Sequence, residues 1–193
     1  MEKEVRNRIQ RATQAARRLL ETELVEQLEG VYDVRPDGTI ATAPGAHLPA
    51  RQHPVRERIV AAITHRVSGG LKASEAVARF TREAAFTTLN RFVALKMLEA
   101  RGLAQECVSR GEQSSGFHRD FSGLAPGLAG LPDHGYRLYL ESLFDEIGRE
   151  VRVLFDRREP AGLIWPRRTA LQGLLEILNA PDLAGVWAED ETI

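Results

Sequence analysis

"REAAFTTLNRFVALKMLEARGL", Arg82 to Leu103, is the stretch whose reading decides the fold. Phe86, Leu89, Val93, Met97 and Ala100 recur at steps of three or four residues, and Phe92 and Leu95 widen the stripe. That spacing predicts a helix with an apolar face wider than about 100°, as a helix central to a bundle requires. Asn90 and Arg91 sit side by side in its middle. A buried unpaired amide costs about 1–3 kcal/mol and an unpaired charge more, so both need partners. Neighbours on a helix point about 100° apart and cannot serve one partner. Asn90, at the edge of the stripe, is expected to be a structural polar residue bonded to a loop backbone. Arg91, on the side of Thr87 and Thr88, is expected to pair with an acidic residue of the 141–156 helix, such as Asp145 or Glu146, or to face DNA.

Working outward, helix is expected from about Ala73 to Arg101, with Ser74 a candidate N-cap, a break near Arg82–Ala84, and Gly102 as the stop. Upstream, Pro54 suits the first turn of a helix reaching about Val67, where "SGG" ends it. Residues 2–29 are rich in Glu, Gln, Arg, Ala and Leu and read as one long helix closed by Gly30. "VYDVRPDGTI", residues 31–40, predicts a small β-hairpin around Pro36-Asp37-Gly38. Residues 41–54 hold three prolines and read as linker. Downstream, residues 104–134 read as loop, followed by helices from Tyr136 to about Arg158 and from Arg167 to Asn179. The expected fold is mainly α, a helical bundle with a long N-terminal helix and one hairpin. Its expected division is 1–53 (helix, hairpin, linker) and 54–193 (bundle).

Composition bounds the function. A hydrophobic fraction of 43% and a mean hydropathy of -0.27 are those of an ordinary soluble globular chain. No apolar run approaches the roughly 18–20 residues of a membrane span, and "MEKEVRNRIQ" has no signal-peptide core. Cys107 is the single cysteine, so no intrachain disulfide forms. A cytoplasmic setting is expected, with no membrane partner. Net charge is -1, but residues 1–18 carry +4, residues 51–101 carry +6 and residues 133–193 carry -5. That asymmetry points to a front half facing a polyanion.

The phrases "EAAFTTLNRFVALKMLEARGL", "SSGFHRDF", "GYRLYLESLFDEI", "VRVLFDRREPAGLIWP" and "WAEDETI" together resemble the N-terminal helical region of large adenine-specific DNA methyltransferases. These are the PglX-like enzymes of BREX phage-defence systems and their restriction-modification relatives. The likeness covers about residues 73–193. It implies that the chain is a piece of a longer enzyme, whose catalytic domain uses S-adenosylmethionine.

The chain itself lacks that chemistry. There is no Pro-Pro pair for an Asn-Pro-Pro-Tyr motif, which holds the target amine beside a stacked, flipped base. There is no Gly-x-Gly for the cofactor loop. Two residues before Lys3, Lys72 and Lys96 stand Met1, Gly70 and Ala94, so the lysine pattern of a PD-(D/E)xK nuclease is missing. The five histidines (47, 53, 65, 118, 134) have no metal-ligand spacing, and Ser114-Ser115 has no nucleophile elbow. No catalytic residue, metal site or cofactor is therefore expected in residues 1–193.

The expected role is a noncatalytic domain that supports its own catalytic domain and touches DNA backbone weakly. Arg56, Arg58, Arg66, Arg79, Arg82, Arg91 and Lys96 are the expected phosphate contacts. The alternative is a docking module for that domain or for other defence-system subunits, with little DNA affinity. A helix-turn-helix regulator is disfavoured, because no compact trihelical unit with a polar recognition helix is evident.

Overall fold

A computed structural model of the chain describes residues 3–131 and 135–188; His134 and residues 189–193 of the closing phrase lie outside the described residues. Five principal helices carry the fold: α1 (Lys3–Gly30), α2 (His53–Ser68), α3 (Ala73–Ala100), α4 (Gly135–Ile147) and α5 (Arg168–Leu178). The chain is mainly α, as its patterning predicts. α3 contacts both α1 and α2, while α1 also packs on α5. One hydrophobic cluster crosses the expected 53/54 boundary, joining Leu20, Leu24 and Leu28 of α1 to Phe80 and Phe92 of α3 and Leu174 of α5.

The helix ends follow local chemistry. α2 begins with Pro54 in its first turn, where the missing N–H has no role. Gly70 and Gly102 take φ of 99° and 69°, the left-handed conformation that glycine adopts without Cβ strain. At α3 the Leu103 amide bonds to the Leu98 carbonyl (2.8 Å) and Gly102 to Glu99 (3.0 Å), the two bonds of a Schellman stop. The helix starts at Ala73 as expected, so Lys72 and not Ser74 is the N-cap residue, and no side chain caps the helix.

α3 runs unbroken through Arg82–Ala84. Its buried face is also rotated from the expected stripe. Phe80, Ala84, Ala85, Phe92 and Leu95 are fully buried, whereas Phe86 is 57% exposed. Met97 and Val93 lie at the margin of the core, and Ala100 faces out. The reason is steric: Thr81, Ala84, Ala85 and Thr88 are small enough for the neighbouring helices to approach closely.

Two further elements depart from the sequence reading. The expected hairpin at 31–40 is absent, reduced to a single antiparallel bridge between Val34 and Ile40. The amides of Val31 and Tyr32 still bond to the Gln27 carbonyl, and Asp33 turns left-handed (φ 56°), leaving too few extended residues for a ladder. Gly38 (φ 94°) does make the expected turn, and Tyr32 and Val34 anchor the segment in the core. The long helix expected to reach Arg158 stops at Ile147; a turn and a short helical segment, Arg152–Phe155, follow. That break lets the backbone of residues 154–162 approach α3.

Candidate anion-binding cleft

Arg91 answers the question its neighbours raise. Its side chain is only 5% exposed. Nε donates to the Leu154 carbonyl (2.8 Å), Nη2 to Asp156 (2.8 Å) and Nη1 to Gly162 (3.5 Å). The guanidinium also lies over the Phe144 ring, 5.4 Å from its centroid. The expected carboxylate pairing with Asp145 or Glu146 is replaced by backbone carbonyls. Burial, with Arg157 nearby, lowers the Arg91 pKa from its ordinary value. Gly162 has an ordinary φ, yet a Cβ there would lie 2.5 Å from both terminal nitrogens of Arg91.

Two other expected DNA contacts also point inward. Arg56 is buried and donates to the carbonyls of Tyr32 (2.8 Å) and Ala41 (2.5 Å), stapling the 31–41 segment to α2. Lys96 is buried and bonds to Ser109 Oγ (2.5 Å) and Asn179 Oδ1 (2.7 Å). Arg91, Arg56 and Lys96 thus direct their donors into the fold. Arg66 and Arg79 share Glu83, and Arg66 lies over Phe80. Arg58 donates to the Arg158 carbonyl. Arg82 is exposed and has no ion pair among the described residues. Asn90 is half-buried, and among the described residues its amide lacks the hydrogen bond expected of it.

Around Arg91 a cleft of about 550 Å³ opens between α4 and the 148–165 segment. Phe144, Phe155 and Trp165 supply apolar lining. Phe144 lies 5.4 Å from Phe155 and 6.2 Å from Trp165, so the three rings pack together; Phe144 and Phe155 are buried and Trp165 is half-buried. Along α4, Glu141 accepts from Arg137 (2.7 Å) and Arg157 (2.6 Å), and Arg157 also reaches Asp145 (2.6 Å). Arg137 covers one face of Trp165 at 5.3 Å. At the mouth, Arg152 and Arg158 flank Asp156 at 3.7 and 3.1 Å. The hydrogen bonds from Arg158 hold the Asp156 carboxyl at about 2. Arg149 pairs with no carboxylate among the described residues. This basic concentration is hidden in the sequence, because residues 133–193 sum to -5. The signal was local: Arg149, Arg152, Arg157 and Arg158 fall within ten positions.

A second polar cluster closes the end of α3. Glu99 Oε2 accepts from the amides of Cys107 (2.8 Å), Val108 (2.7 Å) and Ser109 (3.1 Å), and Oε1 accepts from the Ser109 hydroxyl. Burial alone would raise the Glu99 pKa, but the Ser109 hydroxyl and those amides outweigh it and lower it. Burial, with Glu99 nearby, pushes the Cys107 thiol up to about 12. A thiol so buried and so weakly acidic is no nucleophile. Ser114 is likewise buried. Among the described residues no group of three or more His, Cys, Asp or Glu side chains converges on a metal position. No described helix is long and apolar enough to cross a membrane.

The chain matches no family model, no curated protein and no solved structure. The reading of the cleft therefore rests on its own residues.

Proposed function

We propose that this chain is a noncatalytic helical domain that contacts DNA backbone and supports the catalytic domain of an adenine-specific DNA methyltransferase of the phage-defence and restriction-modification type. The supporting observation is the exposed guanidinium cluster at the cleft mouth. Arg58 of α2 meets Arg158 there, beside Arg149 and Arg152, with Asp156 the nearest carboxylate. Guanidiniums in such a cluster suit phosphate oxygens and need no base-edge geometry. Arg82, exposed on α3, is a further candidate contact. S-adenosylmethionine chemistry belongs, in this reading, to the partner catalytic domain.

The test is duplex binding as a function of salt. Four phosphate contacts give a slope of log affinity on log salt near about -3.6. Replacing Arg58 and Arg158 by Ala reduces the magnitude of that slope by about 2, with no sequence preference. A duplex affinity that does not change with salt refutes the reading. The second reading, a docking module for the catalytic domain or for other defence-system subunits, is favoured by exposed apolar side chains such as Phe86 and Val153. Absence of duplex binding at low salt would put it first.

A further inference from the structure

We infer that the cleft is a binding site for a nucleotide-sized phosphate ester, with the phosphate at the arginine mouth and an apolar or aromatic body against Trp165. It shares its rim with the duplex contact proposed above but takes a different ligand.

Size comes first. A cavity of about 550 Å³ lies in the range of small-molecule sites and admits no duplex. A backbone running across the mouth leaves the interior unfilled.

Charge comes second. Six arginines line the cleft against three carboxylates, Glu141, Asp145 and Asp156. Two of those carboxylates, Glu141 and Asp145, are engaged by Arg157, and Glu141 also by Arg137. Arg91 places a buried positive charge in the same lining, held by the Leu154 and Asp156 carbonyls with the Asp156 and Glu159 carboxylates nearby. Its like-charged neighbour Arg157 adds repulsion. An anion entering the cleft offsets the repulsion between the Arg91 and Arg157 guanidiniums. Arg149 supplies a guanidinium fork with no carboxylate to compete for it.

The lining comes third. Carboxylate-guanidinium pairs occupy the α4 side, whereas the half-buried Trp165 ring, packed on the buried Phe144, gives an apolar wall. Inorganic anions gain nothing from that surface; a phosphate carrying a base does. Two sources share this chemistry: a free nucleotide and the 5′-terminal nucleotide of a strand.

Trp165 and Trp187 are the only tryptophans, and Trp187 is buried away from the cleft against Leu178. The whole chain carrying Trp187→Phe therefore reports the cleft by fluorescence. Titration calorimetry on the unaltered chain gives a second readout should that variant fold poorly. The probes are AMP, adenosine, inorganic phosphate and a 5′-phosphorylated tetrathymidylate. AMP is expected to quench Trp165 saturably. Inorganic phosphate should compete, and adenosine should bind at least about tenfold more weakly than AMP. Arg149→Glu with Arg152→Glu, both exposed, should weaken AMP at least about tenfold with the circular dichroism unchanged. Tighter binding of the tetrathymidylate assigns the source to a strand end, and tighter binding of AMP to a free nucleotide. No heat and no quenching with millimolar AMP overturns the inference. So does equal affinity for adenosine and AMP, or an AMP affinity indifferent to the rim variant. Duplex binding measured on the same samples keeps the two readings apart. Loss of one with retention of the other refutes only the one that is lost.

Discussion

Arg91→Ala is the substitution that most sharply separates an inward from an outward guanidinium. The side chain makes two short charge-assisted bonds, to Leu154 and Asp156, and one long bond to Gly162. Each short bond is worth about 1.5–3 kcal/mol, although half-buried carbonyls recover some of that from water. The contact with Phe144 adds about 0.5–2 kcal/mol. The expected loss is about 3–5 kcal/mol, a large fraction of the roughly 5–15 kcal/mol that stabilises a domain. At this chain length about 2–4 °C of melting temperature follows each kcal/mol, so the midpoint should fall by about 10 °C. Urea unfolding followed by tryptophan fluorescence, with calorimetry beside it, measures this directly. Arg82→Ala, on the exposed side of α3, should shift stability by less than about 0.5 kcal/mol. An Arg91→Ala loss below about 1 kcal/mol would mean that the guanidinium does not anchor the 154–162 segment. The account of the cleft floor would then be wrong.

The rotated face of α3 predicts that Phe92→Ala costs about 3–5 kcal/mol in chemical denaturation while Phe86→Ala stays within about 0.5 kcal/mol; equal losses would restore the unrotated stripe. Glu99→Gln should cost about 2–4 kcal/mol at neutral pH by removing charge-assisted acceptance of three amides and a hydroxyl. Because the folded Glu99 pKa lies below its ordinary 4.5, its contribution is fully present above that value and lost as pH falls through the folded value. The gap between wild type and Glu99→Gln should therefore narrow below about pH 4.5. A gap independent of acid would refute the assignment.

Helix positions were largely legible in the sequence because Pro54, Gly70 and Gly102 act through backbone geometry that needs no distant partner. The facing of α3 was not. Phe86, Val93 and Met97 outweigh Ala84, Ala85 and Thr88 on any hydrophobicity count, yet close helix approach selects the small residues. The hairpin misled for a related reason, since the Gly38 turn is present but the residues before it continue to bond to the end of α1. The cleft was the least legible feature. Arg91 meets partners 63 to 71 residues away, and no periodicity within either segment encodes that meeting.

Gly162 shows what the Arg91 anchor implies for the chain's mutability. Its backbone conformation demands no glycine, and no helix cap or left-handed turn is at stake. Any side chain there would nonetheless occupy the space of the Arg91 guanidinium. The two positions should therefore be coupled: a residue other than glycine at 162 requires either that the Arg91 guanidinium leave its carbonyl partners or that position 91 carry a shorter side chain. In a collection of diverged sequences that dependence would read as covariation between a position with no side chain and a long charged one.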